Sequence, residues 1–324
     1  MVECLIDRRG MFVHRKQRNS CLLIVTAFIW GIAFVAQSAG GDAVGPYSFN
    51  CIRSMIGGAV LLPVIRILDG MHLTARKPST KEEKKTLMIG GVSCGVALFV
   101  ASNLQQLGIY YGSPAGKAGF LTACYMLIVP VLGIFLHKKC GWNIWLGILI
   151  AVAGLYLLCI QGDFRLQFSD FLLLLCAFAF AIHILVIDHF TVQVDGVRMS
   201  CIQFFVCGIL SAIPMFFVDM KHSVSGITGW ALAFSNLDAW IPILYAGVLS
   251  CGVAYTLQIV GQQGVNPTVA SLLMSLESVF SVLAGFVILG EALSYREIFG
   301  CVLIFGAVVL AQLPLSRGNE RRTE

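Results

Sequence analysis

The chain has 324 residues, of which 58% are hydrophobic and only 12% charged. An ordinary soluble domain carries about 25% charged residues, so this composition excludes a water-soluble enzyme and any disordered or fibrous protein. The net charge of +5 is not gathered on one folded face, which excludes a nucleic-acid-binding module and leaves an integral membrane protein.

Charge-free stretches mark the spans. Cys21–Gly41 carries no Asp, Glu, Lys or Arg, nor do Thr86–Gly116, Cys140–Gly162, Phe171–Ile187, Met199–Val218 and Ala239–Leu276. A membrane helix needs about 20 apolar residues. These runs do not alternate polar with apolar as barrel strands would, so the fold class is an all-α polytopic bundle. In chain order the pattern predicts ten transmembrane helices, at 20–40, 45–67, 86–109, 114–136, 142–160, 169–190, 200–218, 238–262, 266–289 and 297–314. Tails at 1–19 and 315–324 remain, with no room for a separate soluble domain. The first apolar run is long enough to stay as a helix rather than act as a cleaved signal.

Most of the 12 cysteines, such as Cys94, Cys124, Cys176 and Cys251, fall inside predicted helices. There they serve as small apolar residues, and no CxxC pair or zinc-ligand spacing occurs, so neither a disulfide framework nor a metal site is expected. With the N-terminus inside, seventeen of the 22 Lys and Arg fall in cytoplasmic segments and only Arg165, Lys221 and Arg296 in outer loops. Arg53 and Lys117 lie within helices. That bias places both termini in the cytoplasm and agrees with an even helix count.

The chain repeats itself. Leu104-Gln105, Gly108 and Pro114 recur as Leu257-Gln258, Gly261 and Pro267, and Gly147 recurs as Gly300, all at an offset of 153 residues. Ser93-Cys94-Gly95-Val96-Ala97 echoes Ser250-Cys251-Gly252-Val253-Ala254 at an offset of 157, one helical turn more. Five helices per copy is an odd number, so the second copy enters the membrane from the opposite side. Two inverted five-helix repeats, 20–160 and 168–314, follow. That architecture occurs among secondary transporters, whose substrate site lies near the midplane between halves. A static scaffold born of duplication is the plain alternative.

Trp30-Gly31 in the first helix, Arg53 in the second, the helix starts at Pro114 and Pro267, and Ser275-Leu276-Glu277-Ser278-Val279-Phe280 followed by Gly290-Glu291 carry a resemblance. Over about 20–314 the chain resembles EamA-type members of the drug/metabolite transporter superfamily. The resemblance implies a ten-helix, two-module permease of the plasma membrane (the inner membrane of a bacterium), many of whose relatives export amino acids or other small metabolites. One departure is His137-Lys138, where the family often carries an acid matching Glu291 in the second half. That departure argues against a role needing matched acids in both halves.

Glu277 is the sharpest site candidate. A charge at mid-bilayer costs at least ~2.5 kcal/mol, so such a residue faces a cavity or a partner. It would move a proton or bind a substrate amine, or else be a permanently protonated structural acid. Ser271, Ser275 and Ser278 share its helix, spaced by four and three, and their counterparts at the 153 offset are Ala118, Thr122 and Tyr125. These stripes would line a pathway, or would glue helices together. Gln105 and Gln258 are equivalent polar residues that would contact substrate or backbone. Trp30, Phe34 and Gln37 form one face, as wall or as packing. His183, the counterpart of Trp30, would titrate near neutral pH or act as a neutral hydrogen-bonding group. Arg53 would capture a carboxylate or pair with carbonyls or a buried acid, the structural pairing being the expectation.

Several rivals lose ground. A membrane protease needs a Ser/His pair or paired acids at one depth, and Glu277 has no second mid-depth acid. No Gly-x4-Gly-Lys-Ser/Thr motif supports an ATP-driven pump. No charged rings suggest a channel. A lipid-linked flippase of the same fold stays open. The expectation is a non-enzymatic secondary carrier without cofactor, working on a small-molecule substrate in a lipid bilayer with protons as a candidate coupling ion. Substrate identity, direction, coupling and oligomeric state are not written in any motif.

Overall fold

The computed structural model describes the backbone of residues 2–72, 74, 77–113, 115–138, 141–159, 167–221, 223–284, 286–287 and 294–313, and the side chains there except at 2–16, 115–116, 159 and 224. Every regular element among the described residues is helical. In chain order these are α1 (Val2–Val44), α2 (Pro46–Gly70), α3 (Lys81–Tyr110), α4 (Ala115–Ala123), α5 (Tyr125–Phe135), α6 (Trp142–Cys159), α7 (Phe168–Phe190) and α8 (Gly196–Pro214). Then come α9 (Val224–Ala233), α10 (Trp240–Leu244), α11 (Thr256–Gly261), α12 (Pro267–Met274), α13 (Glu277–Ala284) and α14 (Tyr295–Gln312). A π-helical turn, Met215–Asp219, extends α8, and a π-helical segment, Tyr245–Tyr255, joins α10 to α11.

Local chemistry explains where the helices begin. Thr80 and Glu83 form a reciprocal capping box at α3, and Ser294 and Glu297 do the same at α14. Asp195 caps α8, and Asn266 caps α12 with Pro267 in its first turn. At α2 the cap comes from a distance: Asp219 Oδ2 accepts both the backbone N–H and the hydroxyl of Ser48, at 2.6 and 2.7 Å.

Among the described residues, nine helical stretches are long and apolar enough to cross a bilayer, and Trp142–Leu158 is a shorter apolar helix. Large apolar side chains such as Phe28, Ile67, Phe135, Leu149, Phe171 and Ile241 stand exposed on the outside, a surface matched to hydrocarbon.

The helices depart from the sequence pattern in five places. The predicted tail at 1–19 is helical from Val2 and continuous with the first span. The predicted helix at 114–136 is broken at Cys124, and the one at 266–289 is broken at Ser275-Leu276. The cause is tightening to i→i+3 bonds: Cys124 N–H to Leu121 O, Leu127 N–H to Cys124 O, Leu276 N–H to Leu273 O and Ser278 N–H to Ser275 O. Ser271 and Ser275 reinforce this by donating their hydroxyls to Thr268 O and Leu272 O, each at 2.8 Å. The predicted helix at 238–262 widens to π geometry in its middle. Finally, α9 occupies a stretch expected to be loop, and its Trp230 Nε1 donates to Ser48 Oγ at 2.9 Å. Pro114, Arg165, Gly290-Glu291, Arg317, Arg321 and Arg322 lie outside the described residues, as do the predicted helix ends at 160, 289 and 314.

Packing is intimate where side chains are small. α6 lies against α14, α2 against α8, α3 against α7 and α8, and α1 against α13, the π segment and α11. At the α6–α14 crossing, a Cβ on Gly154 would fall 2.8 Å from Gly300 O, and one on Gly300 would fall 2.7 Å from Gly154 O. Nothing larger than hydrogen fits there. Three ion pairs tie the chain before residue 160 to the chain after residue 166. Lys117–Asp170, at 2.6 Å, joins the starts of α4 and α7. At the opposite end of α7, Lys138–Asp188 is also 2.6 Å, and Arg198 binds both carboxylate oxygens of Asp69 at 2.6–2.7 Å.

Candidate functional site

The site is assembled where α1 meets the two broken helices. Gly31 sets the approach: a Cβ there would fall 2.6 Å from Phe280 Cβ and 2.7 Å from the Glu277 carbonyl oxygen. Residue 31 must therefore be glycine for α1 to touch α13, and that contact brings Trp30 beside Glu277. Trp30, Phe34 and Gln37, at helical spacing on α1, face one cavity. The cavity is tight, with a volume of about 30 Å³, and is partly open to solvent. Its other lining residues are Arg53, Gln105, Thr122, Tyr125, Phe180, Ile184, Ser250, Tyr255, Gln258, Met274 and Glu277.

Polar groups in this space are sparsely partnered. Glu277, only 4% exposed, accepts one hydrogen bond, from the Tyr125 hydroxyl to Oε1 at 3.3 Å. Gln105 donates to Thr122 Oγ1 at 3.3 Å. The Trp30 ring stacks at a tilt on Tyr255, 4.6 Å between centroids, and its Nε1–H has no protein partner. Gln37 Oε1 and Gln258 Oε1 are buried without a protein partner. Arg53, also 4% exposed, lies 5.3 Å over the Phe49 ring and has no ion pair or hydrogen bond among the described residues. Phe34, Phe180, Ile184 and Met274 supply apolar walls. A pocket of apolar walls with a few converging polar groups is the ordinary form of a small-molecule site. Among the described residues no cluster of His, Cys, Asp and Glu could hold a metal ion.

Six of the nine residues singled out from sequence line this cavity: Glu277, Tyr125, Thr122, Gln105, Gln258 and Trp30. The other three do not. Ser275 is consumed by the helix break, its hydroxyl bonded to Leu272 O. Ser278 is buried with its hydroxyl near Gly119, outside the lining. His183 stands behind the wall, its ring 6.4 Å from Phe180 and 6.1 Å from Tyr255, with Nε2 3.1 Å from Gln203 Oε1. Arg53 is placed differently from expectation, because among the described residues no buried acid or carbonyl pairs with it. Tyr255 carries no motif signal and Ser250 only its place in the echo with Ser93, since the π segment decides which way they face.

Two copies of one sequence profile cover the chain. The profile of the EamA-like transporter family matches residues 18–160 and again 167–313. The chain belongs to the EamA-like transporter family. It is thus an integral membrane transporter and not an enzyme, working on a small-molecule substrate within membrane lipid. A protein of Archaeoglobus fulgidus named as an uncharacterized transporter is 27% identical over 90% of this chain and 84% of its own length. The uncharacterized transporter YwfM of Bacillus subtilis is 24% identical over 91% of this chain and 94% of its own. A crystal structure matches with a TM-score of 0.72 at 18% identity, covering 91% of this chain and 96% of that one, which establishes a shared fold alone.

Proposed function

We propose that this transporter is a secondary carrier exporting a small amino acid-like or drug-like metabolite by alternating access between two inverted halves, 20–160 and 168–314. Its setting is the plasma membrane, the inner membrane of a bacterium, with both termini cytoplasmic. Trp142–Cys159 counted with the nine longer spans makes ten crossings, five per half, and the positive-charge bias supports the orientation. Contacts reciprocal between the halves support the inversion. Gly147 packs on the Ala307 carbonyl and Gly300 on that of Gly154, and the offset of 153 that turns Gly147 into Gly300 also turns Gly154 into Ala307. Ser54 Oγ meets Cys207 Sγ, its own counterpart at that offset, at 3.5 Å. Self-matching contacts of this kind belong to a two-fold axis.

The observation that carries the reading is the cavity itself, because its polar side chains come from both halves. Gln37, Arg53, Gln105, Thr122 and Tyr125 come from the first, and Ser250, Gln258 and Glu277 from the second. Any rocking of one half on the other reshapes the space around a bound molecule. Lys117–Asp170 closes one end, while Arg198–Asp69 and Lys138–Asp188 close the other, and each end opens by parting its own pairs. A ligand that prefers one state shifts the population toward it. Glu277 is the group that exchanges a proton or binds a substrate amine.

Purified protein in liposomes, screened with labelled amino acids and cationic drugs, tests this. The expected result is flux of at least one compound, lowered about ten-fold or more by Glu277→Gln, in line with the loss of a charge-assisted contact. Absence of flux for every compound would sink the carrier reading. Wild-type behaviour of Glu277→Gln at every pH would remove proton coupling alone.

A further inference from the structure

We infer that Arg53 is an anion-binding residue of the cavity, and hence that the molecule held there carries a carboxylate. The inference rests on the carrier reading only in taking this cavity as the site where the transported molecule sits.

A guanidinium keeps its charge in a protein, so Arg53 brings a fixed positive charge into a nearly closed space. A buried charge is costly unless it is paired and hydrogen-bonded. The molecule follows that rule elsewhere. Lys117 meets the fully buried Asp170 at 2.6 Å, and Arg198 Nη2 donates to both carboxylate oxygens of Asp69. Arg53 is more buried than either cation and has no such partner among the described residues. The Phe49 ring beneath it offers a cation–π contact, which compensates only a fraction of an ion pair. Glu277 lines the same space but takes its hydrogen bond from Tyr125 and forms no ion pair with Arg53. Arg53 therefore keeps a charge that Glu277 does not neutralise by direct contact.

A ligand carboxylate resolves this. The planar fork of an arginine matches a carboxylate with two parallel hydrogen bonds. Gln37 and Ser250, on flanking helices, line the same space and present further polar groups. A neutral molecule would leave Arg53 uncompensated, and a purely cationic one would add repulsion. Discrimination against both follows from the unpaired buried group rather than from size. A phosphate dianion fits poorly, because one cation and a nearby carboxyl make a site for a single negative charge.

The test uses the full chain in nanodiscs and liposomes. Its probes are butyrate, L-valine, 4-aminobutyrate, the carboxamides of each, butylamine, tetraethylammonium and methyl phosphate. Binding is read by titration and translocation by counterflow. At least one acid is expected to bind, with its carboxamide about ten-fold or more weaker. Arg53→Gln erases that difference, whereas Arg53→Lys keeps part of it, having charge without the fork. Equal binding of acid and carboxamide overturns the inference, as does an acid preference that survives Arg53→Gln. Binding confined to amines or methyl phosphate also overturns it, and so does no binding by any probe. Should Arg53→Gln fail to fold, the wild-type acid–amide comparison and Arg53→Lys still decide. An acid bound but never translocated refutes the carrier reading and spares the anion site. Translocation indifferent to Arg53→Gln does the reverse.

Discussion

Replacing Lys117 with methionine isolates what a buried ion pair does for this bundle. Asp170 is fully buried, and its Oδ2 takes both the Lys117 ammonium at 2.6 Å and the Gln167 N–H at 2.7 Å. Its Oδ1 has no protein partner. Removing the lysine strands a carboxylate whose remaining bond is one backbone amide, and stranding a buried charge costs about 3–5 kcal/mol. Removing the acid instead leaves a lysine that is already 16% exposed at a helix start and can reach toward water, so Asp170→Asn should cost clearly less. An asparagine oxygen can still accept the Gln167 N–H. The pair Lys117→Met with Asp170→Asn therefore recovers most of the loss, to within about 1–2 kcal/mol of wild type. At roughly 2 °C per kcal/mol for a chain of this size, Lys117→Met should lower the detergent-solubilised Tm by about 6–10 °C. Thermal unfolding followed by size-exclusion fluorescence reads the difference. Equal losses for the two single variants, or a double variant no better than the worse single, would refute the electrostatic account.

Three further outcomes follow from the same geometry. Gly31→Leu should abolish flux while Gly306→Ala, with nothing within 4 Å of its added carbon, transports like wild type; proteoliposome assays compare them. Gly300→Val should overpack the α6–α14 seam and destabilise by about 1–3 kcal/mol, read as a drop in Tm. Arg198→Ala should loosen the Asp69 end of the bundle and raise alkylation of a cysteine placed nearby, with no matching rise at the Lys117 end; equal labelling at both ends would count against gated closure.

Much of the fold is written plainly in the chain, because hydrocarbon tolerates only internally bonded helices and few charges. The span starts near Pro46, Pro267 and Tyr295 could be placed from punctuation and charge gaps. Glu277 announced itself as a lone acid in an apolar run. Thr122 and Tyr125 became visible only through their distance from the Ser275–Ser278 stripe. The rest was hidden for physical reasons. A helix that tightens at Cys124 or widens at Tyr245–Tyr255 keeps its apolar composition, so periodicity registers nothing while every following side chain turns. That is why Tyr255 was overlooked, and why Ser275 spends its hydroxyl on its own helix. His183 has the composition of a functional residue, but burial behind Phe180 and Tyr255 is a property of tertiary packing alone. That no acid among the described residues pairs with Arg53 is likewise a fact of three dimensions.

The bare backbone contact of Gly154 with Gly300 has a consequence for motion. Where two helices touch main chain to main chain, neither can slide, since any shift drives a carbonyl into its opposite number. On the proposed alternating-access reading, this crossing is the fulcrum, a fixed hub about which the looser, side-chain-cushioned surfaces tilt. Spin labels flanking it should keep one spacing through the whole cycle.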